Sequence, residues 1–161
     1  MFGSDWTSYV LWSGLSGDRK ITVTGAELQK DHPLDYSELM TDPESINLVV
    51  LHGQLSEYGS WSRPEDIDIQ KLEGRNIDYL ALGHIHQYRT GKLAPRGKYC
   101  YPGCLEGRGF DEKGDHGFVL LDVDVRTGQI EDTFVPFAKR RLYELNVDIT
   151  GCMTTDRKSV V

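Results

Sequence analysis

The stretch Asp78-Tyr79-Leu80-Ala81-Leu82-Gly83-His84-Ile85-His86 decides how this chain is read. Ile77 to Leu82 is a short, largely apolar run of the kind that forms a buried strand, and Gly83 ends it before two histidines one residue apart. In an extended chain alternate side chains share a face, so His84 and His86 are expected to point the same way, with Ile85 turned to the other. Neutral imidazole is the commonest metal ligand, and two on one face at a strand end suit a metal site. Alone, the pair is weakly specific, because two polar residues in a surface loop read the same way.

Working outward, Ser45-Ile46-Asn47-Leu48-Val49-Val50-Leu51-His52-Gly53 is a second apolar run, expected to be a strand buried on both faces. It ends in His-Gly, and loops after strand ends in α/β sheets are where ligands bind. Pro64-Glu65-Asp66 is expected to open a short helix running to about Leu72, with proline in the first turn and acids where the helix dipole favours them. Gly74 and Asn76 stop it. The order strand, helix, strand is a βαβ-like unit whose strands would be parallel neighbours. Their carboxyl ends then share one sheet edge, which brings His52, His84 and His86 together.

On the far side of the pair, His84 to Arg108 holds Arg89, Lys92, Arg96, Lys98 and Arg108 against the single acid Glu106. This reads as a basic loop that could meet an anion or simply be solvated. Tyr99 to Gly103 is expected to be a strand and turn, and Leu105-Glu106-Gly107-Arg108-Gly109-Phe110 a glycine-rich loop able to approach a ligand. Gly117 to Val125 and Gln129 to Pro136 read as a hairpin around Thr127-Gly128, Arg141 to Ile149 as one more alternating strand, and Ile21 to Thr24 as a short strand. Leu34 to Met40 has room for a turn or two of helix, and residues 1–20 show no sustained period.

The 161 residues suit one domain, and 17 glycines with 6 prolines point to many loops. A net charge of −7 argues against coating nucleic acid through a global field. No apolar run approaches the ~18 residues of a membrane span. The first residues lack a signal peptide's basic start and apolar stretch, and the 3 cysteines have no framework spacing, so a cytoplasmic setting is expected.

His52-Gly53 followed by Gly83-His84-Ile85-His86 resembles the last two of five motifs of the calcineurin-like metallophosphoesterases. Tyr101-Pro102-Gly103 through Glu106-Gly107-Arg108-Gly109-Phe110, with Gly114 and Gly117-Phe118, is similar to the SbcD-type DNA exonucleases within that superfamily. The resemblance covers roughly residues 20 to 150 and implies an α/β chain forming part of a four-layer α/β/β/α sandwich. It implies two divalent metal ions, usually Mn²⁺, with His52 and His84 on one and His86 on the other. It also implies DNA as substrate, an SbcC-type ATPase as partner and a possible homodimer, with Arg108 a candidate backbone contact. No D-x-H, no suitable G-D and no G-N-H-D motif is present, since Gly17-Asp18 lacks the strand before it and the motifs on either side, so residues 1–138 read as the C-terminal half of the catalytic domain. Catalytic residues are then expected outside the chain, and the chain alone is expected to be inactive. Residues 139–155, with Lys139-Arg140-Arg141, would begin a linker or capping domain. Residues 156–161 match what a common sequencing adapter would encode and read as a non-native tail. A half-sandwich would be poorly soluble and marginally stable.

Three other readings stay open. One is a phosphodiesterase acting on nucleotides or other small phosphates. Another is a structural zinc site from His84, His86, Cys100 and Cys104. The third is a naturally truncated, non-catalytic binding module.

Overall fold

The apolar run ahead of Gly83 forms β4 (Tyr79–Gly83), and its upstream counterpart forms β3 (Ile46–His52) directly beside it. The two are parallel, with Leu48 opposite Tyr79 and His52 opposite Gly83. These pairings come from a computed structural model that describes residues 2–29, 34–56, 66–148 and 150. On the outer side of β3 lies β2 (Ile21–Gly25), also parallel, edged by the antiparallel β1 (Thr7–Trp12). Beyond β4 lies β6 (Gly97–Tyr101), parallel to it, edged by the antiparallel β5 (Arg89–Leu93). The six-stranded mixed sheet therefore runs β1-β2-β3-β4-β6-β5, and β7 (Gly117–Val123) pairs with β8 (Ile130–Pro136) in a separate two-stranded sheet.

Helix is scarce. The expected helix from Pro64 shrinks to one turn, α1 (Ile69–Leu72), with Asp68 as its N-cap accepting from the Gln70 N–H at 3.1 Å. Pro64 and Glu65 lie outside the described residues. Asp68 sets the helix start because its short carboxylate satisfies an orphan N–H of the first turn. Gly74 (φ 74°) and Asn76 (φ 53°) then turn the chain back in left-handed conformations. The segment around Leu34 to Met40 holds only a 3-10 turn, Tyr36–Glu38. The fold is thus strand-dominated, with the β3–α1–β4 unit as its α/β element. No helix among the described residues is long and apolar enough to cross a membrane.

Three expectations about strands change. Residues 141–148 form no strand, because alternation supplies a face but no neighbouring edge accepts it. β1 and β5, neither foreseen, form at the sheet edges instead. The basic loop is for that reason partly a hairpin, with Arg89 opposite Tyr101 and Lys92 opposite Lys98. The expected tail, residues 156–161, lies outside the described residues, as does most of 139–155 beyond Asp148.

Val49, Leu51, Leu80 and Leu82 meet Ile67, Leu72, Ile77 and Leu93 in the core. Each fully buried aliphatic side chain contributes about 1.5–3 kcal/mol. Two polar clamps fix the strands' ends. At the amino-terminal end, the Asp78 carboxylate accepts from the Asn47 N–H at 2.7 Å and from Arg96 at 2.6 Å, while the Asn47 amide donates to the Asp42 and Asn76 carbonyls. At the carboxyl end, the Tyr101 hydroxyl donates to the Gly53 carbonyl at 2.9 Å and accepts from the Leu55 N–H at 3.0 Å. That second clamp holds the loop that follows His52.

Candidate metal-binding site

The parallel pairing of β3 and β4 does what the βαβ reading requires of His52 and His84. Their rings lie edge to face, with centroids 5.6 Å apart and planes at 82°. Both side chains are exposed at the carboxyl edge of the sheet. Gly83 makes the space: a Cβ there would sit 2.5 Å from His52 Nδ1. The donor chemistry fits a divalent ion, since two exposed imidazoles meet at one sheet edge.

The expected alternation fails one residue later. His84 has φ 95°, a left-handed conformation that costs a non-glycine residue about 1–2 kcal/mol. The turn breaks the extended path, so His84 and His86 do not share a face. His86 instead turns its Nδ1 to the Glu112 carboxylate in a close contact. Gly103 (φ 83°) is what brings the following loop alongside: a Cβ on it would meet the His86 carbonyl at 2.8 Å, and the Cys104 N–H donates to that same carbonyl at 3.2 Å.

A second cluster therefore forms around His86. One ligand atom each from His86, Cys104 and Glu112 lies within 4.8 Å of the others, and among the described residues this is the one triad of such side chains. Glu112 is held by main-chain donors, the Arg108 N–H and the Gly109 N–H, the latter at 3.0 Å. Those two N–H groups and the His86 ring pull its carboxyl down to about 2. Behind the triad, His116 is only 3% exposed. Its Nε2 bonds the Glu112 carbonyl at 3.1 Å and its Nδ1 lies 3.2 Å from Cys104 Sγ. Burial is the main reason the Cys104 thiol is pushed up from its ordinary value. A cavity of ≈ 360 Å³ opens over the cluster, lined by His86, Cys104, Leu105, Glu106, Arg108 and Glu112.

The four residues of the expected zinc alternative are not gathered. Cys100 is 1% exposed within β6, its thiol raised by burial, and His84 belongs with His52. Only His86 and Cys104 come together. Glu112 stands in no ligand motif, and His116 carries no signal, because a single histidine in a Gly-Asp-His-Gly run matches no ligand spacing.

The basic residues divide. Arg96 is committed to Asp78 and to the Pro43 and Ser45 carbonyls, and Lys98 to Asp132 on β8. Arg89, Lys92 and Arg108 remain exposed. Glu106, a conceivable partner for Arg108, instead accepts from the Lys139 N–H at 3.0 Å and pairs with Arg140. Arg141 pairs with Asp115 and Lys113 with Glu144, so the run from Lys139 is tethered to the 106–115 loop rather than free of it.

Comparison with protein-family models and with curated proteins yields no match for this chain.

Proposed function

We propose that this chain carries part of a metal-dependent phosphodiesterase centre, of the SbcD-type DNA nuclease kind. The observation that carries the reading is the pairing of His52 and His84, 5.6 Å apart at the carboxyl edge of two parallel strands, in the order His-Gly then Gly-His-x-His. On this reading the six-stranded sheet and the β7–β8 hairpin are parts of a four-layer α/β/β/α sandwich. His52 and His84 would hold one divalent ion, Mn²⁺ by preference of the class, and His86 would face a second. Bound ions of this kind lower the pKa of an attacking water and stabilise both oxygens of an in-line displacement.

The chain's own residues supply position. Gly83 leaves room for the His52 ring, and the Tyr101–Gly53 hydrogen bond fixes the backbone after it. Arg108, Arg89 and Lys92 offer charge to a phosphate backbone, which positions a duplex without reading sequence. Three imidazoles divided two and one do not make a two-metal centre, and the chain holds no D-x-H or G-N-H-D motif and no G-D in the matching setting. We therefore expect no significant nuclease activity from the chain alone. Activity and any SbcC-type ATPase or homodimer contact would belong to an assembly that supplies those motifs.

The test is titration with Mn²⁺ followed by NMR. Paramagnetic broadening should strike the His52 and His84 ring signals together, and His84→Ala should abolish it at His52. Adding a segment with the three missing motifs should restore Mn²⁺-dependent cleavage of DNA. Broadening spread evenly over surface carboxylates, or Mn²⁺-dependent cleavage by the unaided chain that His84→Ala abolishes, would overturn the reading. A cavity of ≈ 380 Å³ lined in part by Ser56, Arg89, Tyr99 and Tyr101 favours a second substrate class, a nucleotide or other small phosphodiester. Cleavage of such esters but not of DNA would select it.

A further inference from the structure

The cluster around His86 contains what a transition-metal site needs, and it uses neither His52 nor His84. Zinc takes thiolate at ~2.3 Å, imidazole at ~2.0–2.1 Å and carboxylate at ~2.0–2.2 Å, in sites with three protein ligands and an open position. Ligand atoms around one such ion lie roughly 3–4 Å apart. The His86, Cys104 and Glu112 ligand atoms already fall within 4.8 Å of one another, so small side-chain rotations suffice. We propose that His86, Cys104 and Glu112 form a binding site for a single zinc-class cation, with its fourth position open to the cavity above them.

Three features converge at this cluster. The ligands differ in kind, and a thiolate in the set selects zinc or cobalt over manganese, magnesium and calcium. Two of the three ligands, Glu112 and Cys104, are held in place by further contacts. Glu112 is fixed by the Arg108 and Gly109 N–H groups, and Cys104 by its N–H bond to the His86 carbonyl. His116, 3% exposed, bonds the Glu112 carbonyl through Nε2, which leaves Nδ1 to accept from the Cys104 thiol at 3.2 Å. Outer-shell partners of this sort orient metal ligands. Finally, the open cavity lined by Arg108 gives an ion a way in and places a cation where an anionic fourth ligand would lie. Binding exchanges the thiol proton for the ion; the proton passes to His116 Nδ1, which then donates its N–H to the thiolate sulfur.

Cobalt(II) is the probe, because sulfur ligation gives it an intense near-ultraviolet charge-transfer absorption. The full chain should develop this band with one equivalent of Co²⁺ and lose it when Zn²⁺ is added. It should persist in His84→Ala and in Cys152→Ser and vanish in Cys104→Ser. Affinity should fall ~100-fold or more in His86→Ala and Glu112→Gln, and ~10–100-fold in the positioning variant His116→Ala. No sulfur band in the unmodified chain, or a band that survives Cys104→Ser, would overturn the proposal. The phosphodiesterase reading fails separately, through the Mn²⁺ response of His52 and His84.

Discussion

Gly83 and His84 set the geometry of the sheet edge by opposite means, one through a missing side chain and the other through a strained backbone. A Cβ on Gly83 would lie 2.5 Å from His52 Nδ1, so in Gly83→Ala the imidazole must swing away. Gly83 lies within a strand, where alanine is favoured over glycine by roughly 0.5–1 kcal/mol. We therefore expect Gly83→Ala to keep or slightly raise stability in denaturant melts while weakening Mn²⁺ broadening of His52 by about 10–100-fold, the range for losing ligand orientation. Unfolding of the variant would mean that the contact is structural instead. His84 gives the complementary experiment. Its φ of 95° is one that glycine adopts without penalty, so His84→Gly should stabilise the fold by about 1 kcal/mol while removing the ligand. A loss of stability in that variant would show that the His84 ring supports the strand end rather than straining it.

The strands legible in the sequence are those that packing dictates. β3 and β4 read as apolar runs because both faces are covered, and β7 and β8 because a Thr127-Gly128 turn separates two matched runs. β5, with the sequence Arg-Thr-Gly-Lys-Leu, could not be read this way: one buried residue, Leu93, and the edge of β6 are all that make it a strand. The alternation from Arg141 pointed to a strand that has no partner. In the same way the shared face of His84 and His86 rested on an extended path that the His84 turn cancels, and Glu112 and His116 reach the cluster only through tertiary contacts. Two predictions belong to these elements. Leu80, fully buried in β4, should cost about 2–5 kcal/mol when cut to alanine, read from chemical denaturation. Asp42 caps the turn into β3, accepting from the Ser45 hydroxyl at 2.7 Å and the Glu44 N–H at 3.0 Å, and these bonds lower its pKa in that order. A folded pKa below the unfolded one stabilises the fold in full above the ordinary carboxylate range, and the contribution is lost as pH falls through the depressed value. Asp42→Asn should therefore be less stable than the parent at neutral pH and show a flatter loss of stability on acidification. Parallel curves for the two proteins would rule Asp42 out as a contributor.

At the scale of the molecule, a net charge of −7 has to be reconciled with a proposed polyanionic substrate. The charge is distributed so that the reconciliation is local. Arg96 and Lys98 are engaged in ion pairs with Asp78 and Asp132, where they tie β6 to the start of β4 and to the β7–β8 hairpin. Tyr88 stacks against Phe134 at 4.9 Å and closes the same seam between the two sheets. Within residues 84–108, the cations without an acidic partner are Arg89 and Lys92 on β5 and Arg108 beside the His86 cavity, all exposed. A duplex contact made by this rim is therefore small in charge count and opposed by the net negative charge of the chain. Each phosphate neutralised contributes about 0.9 to the slope of log affinity against log salt. We expect duplex DNA to bind weakly, with a slope set by these three side chains, and Arg108→Ala and Lys92→Ala each to reduce it by about 1. Arg96→Ala should act differently, lowering thermal stability through the loss of its bond to Asp78 while leaving the salt slope of the folded protein unchanged. Fluorescence anisotropy of a labelled duplex across a salt series separates the two outcomes. Equal slopes for the parent and Arg108→Ala would remove the rim beside His86 from the DNA path.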